Sequence, residues 1–246
     1  MFRAVGRSVF GVSAIILGAT LGMGAGLAAQ TPAPAAAPPA SAPAASPPAP
    51  AASSAAPASE ASPLASAEVT GFRSALFGMS EADVRAAISK DFGVAGDGVR
   101  VSQNGAEHTQ VLSIKAPDVL PEGGSADVAY VFGYKTKKLI QVSITWSKAT
   151  DDKLTPERLV SNADTLRAYF MSAGYKADTI VSNVPLSNGL LTFRGADAAG
   201  HTTALLLEGS FSGDKTPRAF TPAGLALFYL ADAKNPDIYR VQPGKF

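Results

Sequence analysis

The chain has 246 residues, 21 Lys and Arg against 20 Asp and Glu, and no cysteine, which excludes disulfides, thiolate metal sites, a cysteine nucleophile and a lipid-modified N-terminal cysteine. Charge is unevenly placed: the first 66 residues hold only Arg3, Arg7 and Glu60, whereas residues 67 to 246 hold 38 charged side chains, 19 of each sign. The first part is therefore a different material from the second, and the balanced second part gives no electrostatic reason to expect nucleic acid or an anionic bilayer as partner.

Arg3 and Arg7 precede an uncharged stretch, Ser8 to Ala29, carrying Val9, Phe10, Val12, Ile15, Ile16, Leu17 and Leu21 and ending in Gly26-Leu27-Ala28-Ala29. A basic start, an apolar middle and a small-residue exit are the pattern of a secretory signal peptide, residues 1–29, cut after Ala28 or Ala29. The competing reading is a retained anchor, since these 22 residues, rising about 1.5 Å each, span a hydrocarbon core of about 30 Å. Five glycines (Gly11, Gly18, Gly22, Gly24, Gly26) dilute the hydrophobicity and favour removal. Either way the arginines stay cytoplasmic and the chain beyond residue 30 is exported. The expected address is periplasmic or secreted, or the inner membrane facing the periplasm if the anchor is kept; contact with the membrane is expected only through that anchor.

Residues 30 to 66 hold 16 Ala, 10 Pro and 7 Ser, so 33 of 37 positions offer no large apolar group to a core. This composition predicts a disordered, low-complexity linker with polyproline II character, because each proline removes a helix donor. Fully extended it reaches roughly 115 Å.

In residues 67 to 246 the first helix is well signalled. Ser80 is an N-cap with Asp83 completing a capping box, Met79 can staple onto Val84, and Val84, Ile88 and Phe92 share one face before Gly93 stops the helix. This predicts a helix over 81–92. Val111 to Ile114 reads as a short strand. Val128, Tyr130, Phe132 and Tyr134 alternate along the next run, and Ile140, Val142, Ile144 and Trp146 alternate with Gln141, Ser143 and Thr145 in the one after. Such period-two alternation predicts antiparallel strands with one face wet. Lys135-Thr136-Lys137-Lys138 is the basic tip of the hairpin between them.

A second helix opens at Thr155 as N-cap and Pro156, with Leu154 stapled to Leu159, an apolar face through Ala163, Leu166 and Phe170, and a stop at Gly174. Strands are then expected at Thr179–Val184, Leu190–Arg194, Thr203–Leu207, Leu225–Leu230 and around Ile238–Val241, with Asp197 to Gly200 as a hairpin turn. The class is α+β: antiparallel sheet packed by two amphipathic helices, readable as a tandem α-β-β-β pseudo-repeat with units 67–150 and 151–246, or as two similar capped helices without duplication.

The run Phe77-Gly78-Met79-Ser80-Glu81-Ala82-Asp83-Val84 followed by a strand pair resembles the helix opening of small exported α/β modules, including the BamE/SmpA-type outer-membrane assembly proteins, and is similar to exported proteins of alanine-rich Gram-negative bacteria. The resemblance covers one helix and two strands and implies a fold type and an envelope address.

Chemistry is sparse. The two histidines, His108 and His201, are read as surface or turn residues without a second histidine or a carboxylate at ligand spacing. No G-x-S-x-G occurs, Ser80 being a cap. Ser212-Gly213-Asp214-Lys215 matches S-x-x-K only formally, since no helix there would bring the lysine under the serine, and Gly93 to Gly98 lacks the Lys-Ser/Thr ending of a phosphate loop. Phe246 ends the chain as barrel proteins end, but Pro243 and Gly244 break the strand pattern that would require. Tyr130, Phe132, Tyr134 and Trp146 could stack on a sugar, although their alternation fits a strand packed under a helix. No catalytic residue, cofactor or metal ligand is named. The candidate partner surface is Tyr134, Lys135, Lys137 and Lys138. The expected function is a non-catalytic envelope module binding a protein or glycan; the alternative is an envelope hydrolase or ligand-binding protein with a carboxylate site such as Asp197 and Glu208.

Overall fold

The computed structural model describes residues 66–213, 219–241 and Gly244. The 1–29 segment, all but the last residue of the 30–66 segment, the Asp214-Lys215 pair and Phe246 lie outside the described residues.

Two short paired strands, β1 (Gly71–Phe72) and β2 (Ala75–Leu76), lead into helix α1 (Glu81–Phe92). Its start is the expected capping box: the Ser80 hydroxyl accepts from the Asp83 N–H at 3.3 Å and the Asp83 carboxylate accepts from the Ser80 N–H at 3.1 Å. Its end is Gly93 at φ 67°, a left-handed position that costs a glycine nothing, with its N–H on Ser89 O at 2.9 Å. Four strands follow: β3 (Arg100–Asn104), β4 (Thr109–Ala116), β5 (Ala126–Phe132) and β6 (Leu139–Ser147). Helix α2 (Pro156–Ser172) starts as expected on the Thr155 hydroxyl, and β7 (Val184–Leu186), β8 (Gly189–Ala196), β9 (Thr202–Ser212) and β10 (Ala219–Leu230) come after it.

The eight strands β3 to β10 form one antiparallel sheet in the order β3-β4-β5-β6-β10-β9-β8-β7. Each helix is thus followed by a four-strand meander rather than the expected three strands after α1, and the last strands of the two meanders meet at the centre, with Trp146 opposite Leu225 and Val142 opposite Tyr229. One buried cluster runs through both halves, from Val84, Ile88, Leu112, Tyr130, Ile144 and Trp146 to Leu159, Phe170, Phe193, Leu205 and Leu227. Its strand residues lie on one face of the sheet, where α1 and α2 pack. That face accounts for Tyr130, Phe132 and Trp146, each at most 2% exposed, and takes these aromatics out of reach of a sugar.

Besides the extra strand β3, the structure departs from the sequence expectation at three places. Thr179–Val184 is strand only at Val184, where β7 begins: a 3-10 turn at Ala177–Thr179 ends on its first residue, Val181 makes a lone bridge to Arg194, and Asn183 sits at φ 57°, where an asparagine leaves strand geometry readily. No strand forms at Ile238–Val241, because Pro236 bends the chain and the Tyr239 N–H is taken by Glu107 O at 2.8 Å. The face expected to be wet is in large part buried: Gln141 and Ser143 are only 4% and 3% exposed.

Candidate functional site

The basic tip is built by the β5–β6 turn. The Gly133 N–H bonds Lys138 O at 2.8 Å, the Lys137 N–H bonds Gly133 O at 3.1 Å, and Lys137 sits at φ 54°. Lys135, Lys137 and Lys138 on this tight loop are all exposed, and none joins an ion pair among the described residues. The loop is held from the far end of the chain. Asp237 accepts from the N–H groups of Lys135 at 3.0 Å and Thr136 at 2.8 Å and from the Thr136 hydroxyl at 2.7 Å, while its own carbonyl accepts from the Tyr134 N–H at 2.8 Å. Burial pushes the Asp237 carboxyl up, but the Thr136 and Lys135 hydrogen bonds and the Lys135 charge outweigh it and hold the group below its ordinary value.

Tyr134 is half-buried in an aromatic trio. His108 stacks on Tyr239 with centroids 4.3 Å apart and planes 4° from parallel, and Tyr134 meets both edge-on at 5.6 and 5.5 Å. The Lys137 ammonium lies 5.4 Å from the Tyr134 ring, within cation–π range. The four residues named from the sequence are therefore one surface. His108 and Tyr239 belong to it as well, and neither was legible, since the stacking joins residues 131 positions apart.

His201 is less isolated than its sequence neighbourhood indicated. Its Nδ1 lies 3.2 Å from the Asp197 carboxylate across the β8–β9 turn, and Asp197 is 4% exposed. That carboxylate also accepts from the Val69 N–H at 2.9 Å and the His201 N–H at 2.8 Å, so it ties the segment before β1 onto the turn. The spacing of four between Asp197 and His201 was the available signal. The imidazole rests against Phe77, with centroids 5.4 Å apart.

Beside Asp197 lies a cleft of about 500 Å³ lined by Lys176, Asp178, Arg194, Asp197, Asp232 and Lys234. It presents cationic groups and carboxylates in equal number, suited to a small zwitterionic or polyhydroxylated ligand. The carboxylates named for hydrolysis do not meet: Asp197 precedes β9 and Glu208 lies past its middle, opposite Gly224. Six strand steps of about 3.4 Å put roughly 20 Å between them, beyond the span of a glycosidase pair. Burial alone raises the Glu208 carboxyl above its ordinary value.

Among the described residues no three His, Cys, Asp or Glu side chains are grouped to hold a metal ion, and no helix is long and apolar enough to cross a membrane. Comparison with protein-family models, with curated proteins and with solved structures finds no match to this chain.

Proposed function

We propose that this protein is a non-catalytic interaction module of the cell envelope, exported by its N-terminal segment and binding an acidic surface of an envelope protein through Tyr134, Lys135, Lys137 and Lys138. The observation that carries this reading is the clamp of Asp237 on the lysine loop. Three exposed ammonium groups stand on a loop held by four hydrogen bonds from a distant segment, so its backbone has lost its freedom before any partner arrives, and pre-organisation of this kind lowers the entropic cost of binding. The basic and apolar N-terminal pattern and the resemblance to small outer-membrane assembly modules support the envelope address.

The test is co-purification of the tagged protein from its native envelope under mild crosslinking. The expected result is a stoichiometric protein partner that is lost in the Lys135→Ala, Lys137→Ala, Lys138→Ala triple variant and weakened by salt, with folding stability changed by no more than about 0.5 kcal/mol. Turnover of ester, glycoside or peptide substrates that disappears with His108→Ala or His201→Ala would overturn it. A second reading, binding of a small molecule or glycan, is favoured by the charged cleft at Arg194 and Asp197. Recovery of the bait without a protein partner, together with a ligand lost on Arg194→Ala, is its expected outcome.

A further inference from the structure

The cleft beside Asp197 has three walls, each fastened by hydrogen bonds of its own. The first is the strap from Lys176 to Val181, tied along β8. There the Lys176 N–H donates to Ala196 O at 3.0 Å, the Ala196 N–H donates to the Thr179 hydroxyl at 2.9 Å, and Val181 and Arg194 exchange both backbone bonds at 2.8 Å. The second wall is the β8–β9 turn, where Asp197 and His201 are joined through backbone and side chain. The third is the turn after β10, in which Asp232 accepts from the N–H groups of Lys234 at 2.9 Å and Asn235 at 2.8 Å. Phe193 is buried in the core on the helix side, so the two-residue period of β8 places Arg194 on the other side, among the residues that line the cleft.

The lining charges are equal in number but not in what they leave open. Both oxygens of Asp197 are taken, one by the His201 N–H and the other by the Val69 N–H and the imidazole Nδ1. Asp232 gives one oxygen to its own turn. By contrast Lys176, Arg194 and Lys234 join no ion pair among the described residues. The cleft therefore presents a guanidinium fork and two ammonium groups, all of them donors, against the Asp178 carboxylate and one oxygen of Asp232. An excess of charged donors calls for an acceptor-rich, anionic ligand. Arg194 narrows the anion to a carboxylate or a phosphate, because its planar fork reaches two oxygens of one group with parallel N–H bonds. The size narrows the class further. At about 500 Å³ the cleft has small-molecule dimensions, far more than one carboxylate or phosphate fills. The rest of its lining is mixed: Thr179, Thr202 and Asn235 are polar, and Val181, Ala196 and Ala233 are apolar. A sugar ring meets both kinds of surface. Its hydroxyls donate to Asp178 and Asp232 and accept from the two lysines, while its C–H face rests on the apolar residues. A plain zwitterion such as an amino acid has one acceptor group and leaves the remaining donors without partners.

We propose that this cleft is a binding site for an acidic sugar, its carboxylate or phosphate held by Arg194 and its hydroxyls by Asp178, Asp232, Lys176 and Lys234. The inference rests on the reading of this protein as a binder of small molecules or glycans and narrows that reading to one class of ligand. Because the three walls are fastened within the fold, little backbone freedom is lost when the ligand enters. The lysines of the β5–β6 turn are not among the lining residues and play no part.

The test is titration calorimetry of the purified full chain with millimolar glucuronate, glucose 6-phosphate, glucose, glycine and inorganic phosphate. Glucuronate or glucose 6-phosphate is expected to bind, the tighter of the two telling whether the acidic group is a carboxylate or a phosphate, and the other three probes are expected to bind far more weakly. Arg194→Lys should weaken the sugar acid about tenfold or more, since an ammonium cannot replace the fork. Lys176→Ala with Lys234→Ala, both exposed positions where folding is not at stake, should weaken it as well. The Lys135→Ala, Lys137→Ala, Lys138→Ala variant should bind it unchanged. Binding of neither acid would overturn the proposal, as would an affinity indifferent to Arg194→Lys and to the lysine pair. Glycine or inorganic phosphate binding as tightly as the sugar acids would overturn it too, by showing that the ring is not recognised. Glucose binding equally well and lost on Arg194→Ala would overturn the acidic class and leave the wider glycan reading standing. The envelope co-purification reads a different surface, so the protein-partner reading fails or stands independently.

Discussion

The carboxylate of Asp237 closes on Thr136, 101 positions earlier in the chain, taking its backbone N–H at 2.8 Å and its hydroxyl at 2.7 Å. With Lys135 it fastens the segment after β10 to the β5–β6 turn. Asp237→Ala is expected to cost about 1–2 kcal/mol, reduced from the full worth of three charge-assisted bonds because the site is open to water. The folded carboxyl lies below its ordinary value, so the stability it contributes is complete above the unfolded pKa near 4 and is lost as pH falls through the lower folded one. Urea midpoints of the wild type and the variant should differ at pH 7 and converge at acid pH.

Gly133 leaves room for that carboxylate. A methyl at this position would collide with Asp237 Oδ2 and lie 2.7 Å from Thr136 Oγ1. Gly133→Ala should therefore destabilise by an amount similar to Asp237→Ala, and the double variant should be little worse than either. A double-mutant cycle from urea denaturation reads this coupling, and simple additivity would show that the glycine serves the backbone instead.

Phe170 joins α2 to the sheet. Its ring stacks on Phe193 with centroids 5.3 Å apart and meets Tyr175 and Tyr229 edge-on at 6.2 and 6.5 Å. At 2% exposure, Phe170→Ala leaves a cavity that costs about 3–5 kcal/mol. Thermal unfolding should show one lowered transition, because the cluster runs through both halves; two separate transitions would show that the halves melt apart.

Glu208 works against the fold at neutral pH. Burial raises its folded pKa, so stability falls as pH rises from the ordinary carboxylate value through the raised one and stays lower above it. Glu208→Gln should then be more stable than wild type at pH 7 and equal to it below pH 4, as melting temperatures at the two pH values will show.

Some of these features were readable in advance. Ser80, Asp83 and Gly93 define α1 through contacts within four residues, and Thr155 with Pro156 does the same for the start of α2. The strands near Val111, Val128, Val142 and Leu227 show in apolar alternation or apolar runs. Strand β3 was missed because Arg-Val-Ser-Gln-Asn is polar and nearly all exposed, which an outer strand with water along one edge tolerates. The lysine tip was legible as charges on a hairpin; its clamp, Asp237, looked like any carboxylate near the end of the chain.

The sequence by itself determined where the helices begin and end, the α+β class and the expectation of an exported chain, since caps, periodicity and composition act over a few residues. Only the tertiary structure decided that β6 pairs with β10, that Asp197 holds Val69 and His201 together, and that Gln141 and Ser143, which alternate like wet residues, are buried. The physical reason is that a strand edge, a carboxylate or a sheet face takes its partner from whatever chain closure brings opposite it. Trp146 meets Leu225 from 79 positions away and Asp197 meets Val69 from 128, separations that no local pattern encodes.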